Sequence, residues 1–425
     1  MVAAVDWLLR GARLVTPAGE VGPLAGSRQG DLVIHDRGAV ALAGGRIVAA
    51  GPEEALLQAV GTGPGTREVD LEGRLLTPGL VDAHTHPVYG AMRLDDFERR
   101  ARGATYAEIL AAGGGIHETV RRTREAMVAE LATGLEARLD RFLACGTTTI
   151  EAKSGYGLDT AAELAQLKAI AAARHPVARV PTWLGAHAVP PGRDPDEVID
   201  QLIGESLPAV VAQGIARFAD IFCEHGVYTT GQAERLLLAA RAHGLGLKLH
   251  ADELVDTGGA ALAARLGALS ADHLHVANPK GLAAMAAAGT LAVLLPGTSM
   301  FLGMREPAPA RAMIEAGVPV AVATDHNPGS CPAVSLPLMM TLAVTQLRLT
   351  PAEAFVATTA NGAAAVGMGD RIGRIRPGMR ADVVAWDLHD WRELAYHVGS
   401  VRVAGVWVAG RGVRGALAHA SQDAG

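Results

Sequence analysis

His84 and His86 stand one residue apart at the end of an apolar run, Leu80-Val81-Asp82-Ala83-His84-Thr85-His86. Side chains two apart on a strand point to the same side, and imidazole is the commonest protein ligand for borderline transition metals. An apolar strand that ends in His-x-His therefore reads as half of a metal site. Two further groups complete a set: His250, in Lys248-Leu249-His250-Ala251-Asp252-Glu253, and Asp325, in Ala323-Thr324-Asp325-His326-Asn327-Pro328. Three neutral imidazoles and one carboxylate leave a position for water, the open arrangement of a catalytic ion. Such an ion brings the pKa of water toward neutrality. Taken singly, His250 also fits a core histidine and Asp325 a helix cap. All four at strand ends fit a metal better.

Two more groups lie close by in sequence. Glu253 follows His250 by three residues, on the loop leaving the same strand, where a carboxylate can take a proton from water and return it to a leaving nitrogen. His273 ends Ser270-Ala271-Asp272-His273 and can hydrogen-bond hydroxide or polarise a carbonyl; a satisfied core histidine is the competing reading.

Positioning such groups takes a scaffold that delivers many strand ends to one place. Strand-like runs occur at Leu80–His84, Thr147–Glu151, Val180–His187, Phe218–Glu224, Leu245–His250, Leu269–His273, Leu291–Pro296 and Val318–Asp325. Between them lie Ala/Leu-rich helical stretches such as Thr160–Arg174, Gly231–His243, Gly259–Leu266 and Arg311–Ala316. Eight such units predict an α/β fold, a (β/α)8 barrel. His84, Glu151, His187, Glu224, His250, His273 and Asp325 end its strands, at the face where such barrels carry active sites. Binuclear enzymes of this architecture commonly need a bridging carboxylated lysine at the end of strand four; Glu224 stands there instead, which favours one ion.

Both termini have a different texture. Leu8–Val15 and Asp31–Ile34 read as strands, and Ala39–Ala43 and Arg46–Ala50 flank Gly44-Gly45 as a hairpin. Beyond about residue 368, Ile372–Gly378 leads into strand-like Ala381–Trp386 and Val401–Val408. The simplest arrangement is a small composite β-sandwich domain from residues 1–77 and 368–425 beside a catalytic barrel of 78–367.

Composition narrows the class. Of 425 residues 49% are hydrophobic and only 4% aromatic, so the core volume must come from Ala, Val, Leu and Ile. A formal net charge of -6 gives no reason to expect nucleic acid or an anionic membrane. Cys145, Cys223 and Cys331 show no zinc spacing and fit a reducing compartment. Met1–Trp7 lacks a signal-peptide pattern, and no window approaches a membrane span. A cytoplasmic protein is expected.

The ligand pattern resembles the amidohydrolase superfamily, and within it the chain resembles the imidazolonepropionase family. The matching stretches are Asp82–Pro87 with Arg93 downstream, Ala112–His117, Lys153-Ser154-Gly155-Tyr156-Gly157-Leu158, Leu184–Pro190, Leu249–Glu253, Ser270–Leu274, Leu295–Thr298 and Thr324–Pro332. They run through essentially the whole chain, and the Lys-Ser-Gly-Tyr-Gly and Asn-Pro-Gly-Ser segments are more specific than His-x-His. His326 departs from the pattern, where an apolar residue is expected.

The resemblance implies hydrolytic ring opening of 4-imidazolone-5-propanoate to N-formimidoyl-L-glutamate, with one Zn2+ or Fe3+ ion per subunit and a homodimeric assembly. It also implies a substrate-binding set. Arg93 can hold the propanoate bidentately, and Tyr156, His187 and Glu253 can contact the substrate. The amides of the Asn327, Gly329 and Ser330 turn can cradle an anion; an ordinary Pro-Gly turn is the plainer reading. Glu151 and Lys153 fit an ion pair, the Gly113–Gly115 run fits a lid hinge, and Arg121–Arg124 fits a solvated helix face. A mononuclear deaminase of nucleobases or aminoimidazoles would share the same ligands, and differs by lacking a use for Arg93. An inactive amidohydrolase-like interaction protein would be expected to have lost ligands.

Overall fold

The computed structural model describes residues 5–105, 108–109, 112–304 and 306–419; the reading of Met1–Ala4 and the last six residues of the composite domain lie outside them. Five strands open the chain: β1 (Trp7–Pro17), β2 (Leu32–Ala43), β3 (Arg46–Pro52), β4 (Arg67–Asp70) and β5 (Leu75–Pro78). Eight follow in the central part: β6 (Leu80–Asp82), β7 (Thr147–Lys153), β8 (Ala178–Ala186), β9 (Phe218–Cys223), β10 (Gly246–Ala251), β11 (Ser270–His273), β12 (Leu291–Leu294) and β13 (Val320–Val322). Three close the chain: β14 (Val383–Trp386), β15 (Val403–Val408) and β16 (Arg411–Arg414).

The central eight form one parallel sheet in sequential order from β6 to β13. Helices intervene, among them Thr160–Ala172, Thr230–Ala242, Gly259–Leu266 and Ala310–Glu315, close to the spans expected from apolar periodicity. The barrel closes just past its first and last strands. The Asp325 N–H donates to the His84 carbonyl at 3.0 Å and the His86 N–H to the His326 carbonyl at 2.8 Å, with a parallel bridge between Thr85 and His326. The seam of the barrel is thus made by the residues that carry three of the four expected ligands.

The strands of both chain ends share a second, mixed sheet in the order β16-β15-β14-β5-β1-β2-β3, with β4 beside β1. Its central joint is antiparallel pairing of β5 with β14, Val383 opposite Pro78. Trp7 and Trp407 meet edge to face in its core, ring centroids 5.7 Å apart. Gly44 and Gly45 both take positive φ, as the tight hairpin between β2 and β3 requires. Asp31–Ile34 and Ala39–Ala43, expected as two strands, are parts of one continuous β2, because β1 pairs along its whole length from Leu32 to Leu42, with irregular register in the middle. No described helix is long and apolar enough to cross a membrane.

Candidate active site

Past Asp82 the first barrel strand loses regular ladder pairing but stays hydrogen-bonded on both sides, with the Lys153 N–H on the Thr85 carbonyl at 3.0 Å. This keeps His84 and His86 extended and aims both rings inward. His84 Nε2 lies 3.2 Å from His86 Nε2, and His250 Nε2 lies 3.4 Å from His86 Nε2. Asp325 Oδ1 is 3.5 Å from both His84 Nε2 and His86 Nε2. Donors 2.0–2.1 Å from a tetrahedral zinc are separated by about 3.3–3.4 Å along each edge. His84, His86 and Asp325 thus offer atoms within 4.8 Å of one another, the spacing of a metal-ligand shell, with His250 joined to them through His86, and the donor set fits a divalent ion.

The far side of the rings explains why the Nε2 atoms face each other. His84 Nδ1 pairs with Asp272 Oδ2 at 2.6 Å, and His250 Nδ1 with Asp220 Oδ2 at 3.0 Å. A proton held on Nδ1 by a carboxylate leaves the Nε2 lone pair free for a metal. The His86 ring instead stacks on His187, centroids 4.9 Å apart and 17° from parallel. Burial holds the His84 and His86 pKa values well below the ordinary imidazole value, with neighbouring cationic groups adding to it. Neutral imidazole is the form that ligates.

Beneath the ligands lies a layer of charge that the sequence only half revealed. Lys153 Nζ reaches Asp220 Oδ2 at 2.6 Å and Glu151 Oε2 at 2.9 Å, and Lys248 Nζ reaches Glu151 Oε1 at 2.9 Å. All five members, Asp272 included, are fully buried. Burial alone would lower the Lys153 pKa, but Asp220, Glu151 and Asp272 outweigh it and raise the value. Glu151 and Lys153 do form the expected ion pair. Asp220, Asp272 and Lys248 were missed, although an acid in Ala219-Asp220-Ile221 or Ala271-Asp272-His273 within a buried strand is itself a signal.

The cluster opens into a cavity of about 630 Å³ at the carboxyl ends of the strands. The other expected catalytic and substrate-binding residues line it: Arg93, Tyr156, His187, Glu253, His273, Asn327, Gly329 and Ser330. Arg100, His117 and His225 line it too; His117 ends the Ala112–His117 stretch, while Arg100 and His225 lie outside every motif. Glu253 Oε1 stands 3.5 Å from His273 Nδ1, an atom with no hydrogen-bond partner among the described residues. Burial, reinforced by the carboxylates of Asp325 and Glu224, pushes Glu253 up to about 8. Burial also holds His273 well below its ordinary value. His273, Asp325 and Asp252 all adopt positive φ, at 77°, 53° and 51°, a strained geometry that surrounding structure must enforce.

The opposite wall is built to present Arg93. Its Nε–H donates to Thr119 Oγ1 at 2.7 Å, and the guanidinium lies over Gly329. Among the described residues no carboxylate lies within ion-pair distance of it. His187 Nδ1 donates to the Gly155 carbonyl at 3.0 Å, which leaves Nε2 as an acceptor; burial lowers its pKa to about 3. The Lys153–Leu158 loop is held by Glu163, whose carboxylate accepts from the N–H groups of Gly155, Gly157 and Leu158. In the 327–330 turn, Asn327 Oδ1 accepts from both Gly329 N–H at 2.8 Å and Ser330 N–H at 2.7 Å. Those two amides are thus occupied within the turn, and what it offers the cavity is the close Gly329 surface. His326 points away from the ligands, with Nδ1 on the Ala333 carbonyl and Nε2 3.3 Å from Tyr89 Oη.

Comparison with known proteins agrees with this geometry. The amidohydrolase family matches residues 75–413. The imidazolonepropionase of Symbiobacterium thermophilum is 51% identical over 413 residues, 96% of this chain and 97% of that one. The imidazolonepropionase of Geobacillus kaustophilus is 48% identical over 92% of this chain and 93% of its own. Among solved structures, 5-methylcytosine deaminase from Klebsiella pneumoniae superposes with a TM-score of 0.73 at 16% identity, covering 96% of this chain and 97% of that one; at that identity it shows the fold alone. The chain belongs to the amidohydrolase family, on the branch formed by the imidazolonepropionases.

Proposed function

We propose that this chain hydrolyses the ring of 4-imidazolone-5-propanoate to N-formimidoyl-L-glutamate, a step of histidine degradation. One observation carries the reading beyond kinship. A single cavity is lined by His86, His250 and Asp325 of the His/Asp cluster and by the Arg93 guanidinium, which has no carboxylate within ion-pair distance among the described residues. A ring hydrolase for a neutral nucleobase has no use for that cation, whereas a propanoate tail meets it bidentately.

His84, His86 and Asp325, which cluster together, and His250, 3.4 Å from His86, would hold one ion, Zn2+ or Fe3+, per subunit. When bound, that ion would supply Lewis acidity and lower the pKa of water. Arg93 takes the propanoate, and Tyr156 and His187 contact the substrate between tail and ring. Glu253 accepts a proton from the attacking water as its oxygen bonds to the ring carbonyl carbon. The same carboxyl then delivers that proton to the ring nitrogen as the C–N bond breaks. A proton affinity near neutrality suits a group that must do both. His273 stabilises the charge that develops on the carbonyl oxygen. The three free thiols suit the cytoplasm, and the assembly proposed is a homodimer.

The test is ring opening of imidazolone propanoate, followed with metal content measured on the same preparation. Turnover in proportion to bound metal is expected. Ammonia release from a neutral nucleobase, with no ring opening, would overturn the assignment.

A further inference from the structure

Glu224 ends the fourth barrel strand and takes no part in the chemistry described above, yet its side chain is 2% exposed. Its surroundings are unusual for a buried acid, since no cation among the described residues lies within ion-pair distance. Four backbone N–H groups face it instead. Oε2 accepts from Glu253 at 3.1 Å and Leu254 at 2.9 Å, and Oε1 from Val255 at 3.2 Å and His225 at 2.8 Å. Three consecutive amides converging on one carboxylate form an anion-binding concavity, here filled from within the chain.

We propose that Glu224 is a positioning residue, whose carboxylate clasps the 253–255 backbone and thereby sets where the Glu253 carboxyl stands in the cavity. The inference rests on the reading of Glu253 as the proton-transfer group. Nothing apolar does this work: Leu254 and Val255 are 61% and 46% exposed, so no burial anchors the loop. Its next fixed point is Asp252, whose carboxylate accepts from Gly259 and Ala260 at 2.9 Å and caps the helix that follows. Glu224 is itself held, with its N–H on the Tyr228 carbonyl at 3.1 Å. A glutamine here would turn an NH2 toward N–H donors, and a lysine could accept from none of them.

The experiment is a double-mutant cycle on the metal-loaded enzyme, with Glu224→Gln made in the natural chain and in Glu253→Gln. In the natural chain kcat should fall roughly ten- to a hundredfold, with KM within about threefold and metal content unchanged. In the Glu253→Gln background the same change should cost less than about twofold, because a residue acting only through another has nothing left to lose. Hydrogen exchange at the 253–255 amides should accelerate while the barrel strands keep their protection. Glu224→Asp, which keeps the charge, should recover part of kcat and serves if the glutamine variant does not fold. Equal losses in both backgrounds, an unchanged kcat, or loss of metal would each overturn the positioning role. Natural turnover in Glu253→Gln alone would instead overturn the role of Glu253, and exchange at the three amides would still test the clasp.

Discussion

Gly329→Ala tests the contact proposed to select a carboxylate-bearing substrate. A Cβ on Gly329 would lie 2.4 Å from Arg93 Nη1, 2.6 Å from Cζ and 3.0 Å from Nη2, whereas ordinary contact begins at 3.4 Å. Gly329 has no φ in the left-handed region, so alanine adds no backbone strain there and the cost falls on the side chain above it. The guanidinium must retreat by about 1 Å, a displacement of the size that can cost on the order of a hundredfold in rate. It is the far end of a flexible side chain, tethered through Nε to Thr119, so it can move without unfolding anything. A charge-assisted bidentate pair is worth about 1.5–3 kcal/mol, or roughly ten- to a hundredfold in kcat/KM. The assay is steady-state ring opening of imidazolone propanoate beside the same ring without its tail, with metal content as control. The expected result is a loss in kcat/KM confined to the tailed substrate, with full metal. Equal losses on both substrates, or none on either, would refute the role given to Arg93.

Three further outcomes are expected. His250→Ala removes one donor of four, so bound metal should become sub-stoichiometric and activity should fall by several orders of magnitude, while circular dichroism stays that of the folded barrel; full metal with natural turnover would exclude His250 as a ligand. Lys153→Met takes from Asp220 its ammonium partner and leaves Glu151 and Asp272 with Lys248 alone, an uncompensated buried charge worth about 3–5 kcal/mol, to be read as a lowered thermal midpoint of metal-free protein; an unchanged midpoint would show that the charged layer does not stabilise the barrel. His326 is held near a pKa of about 3 by burial, so the unfolded chain binds its proton first, and the stability this gives is present above about pH 6.5 and lost as pH falls toward 3. Between pH 7 and 5 the loss is about 2 kcal/mol; His326→Leu should flatten the acid destabilisation of metal-free protein by that amount, and an identical pH dependence in both chains would contradict it.

Strand ends and their chemistry were legible in the sequence because they depend on short-range pattern. His-x-His after an apolar run, the eight alternating units and the Gly44-Gly45 hairpin each follow from spacing within a few residues. His273 was visible for the same reason, a titratable group at the end of a buried strand, and Glu253 as an acid three residues past His250 on the loop that leaves its strand. Joining His84 and His86 to Asp325 was a matter of closure. Those residues are some 240 positions apart, and only the hydrogen bonds between the ends of β6 and β13 bring the donors to 3.5 Å. The roles of Asp220 and Asp272 were hidden likewise, since the fold alone brings a buried acid to its partner: Asp220 meets His250 from the neighbouring strand, and Asp272 meets His84 from a strand that is not its neighbour. Glu224 was noticed for what it was not, a lysine. That its carboxylate gathers the amides of a loop nearly thirty residues onward is a property of packing, because backbone N–H groups look alike in every sequence and only the folded chain decides where they point.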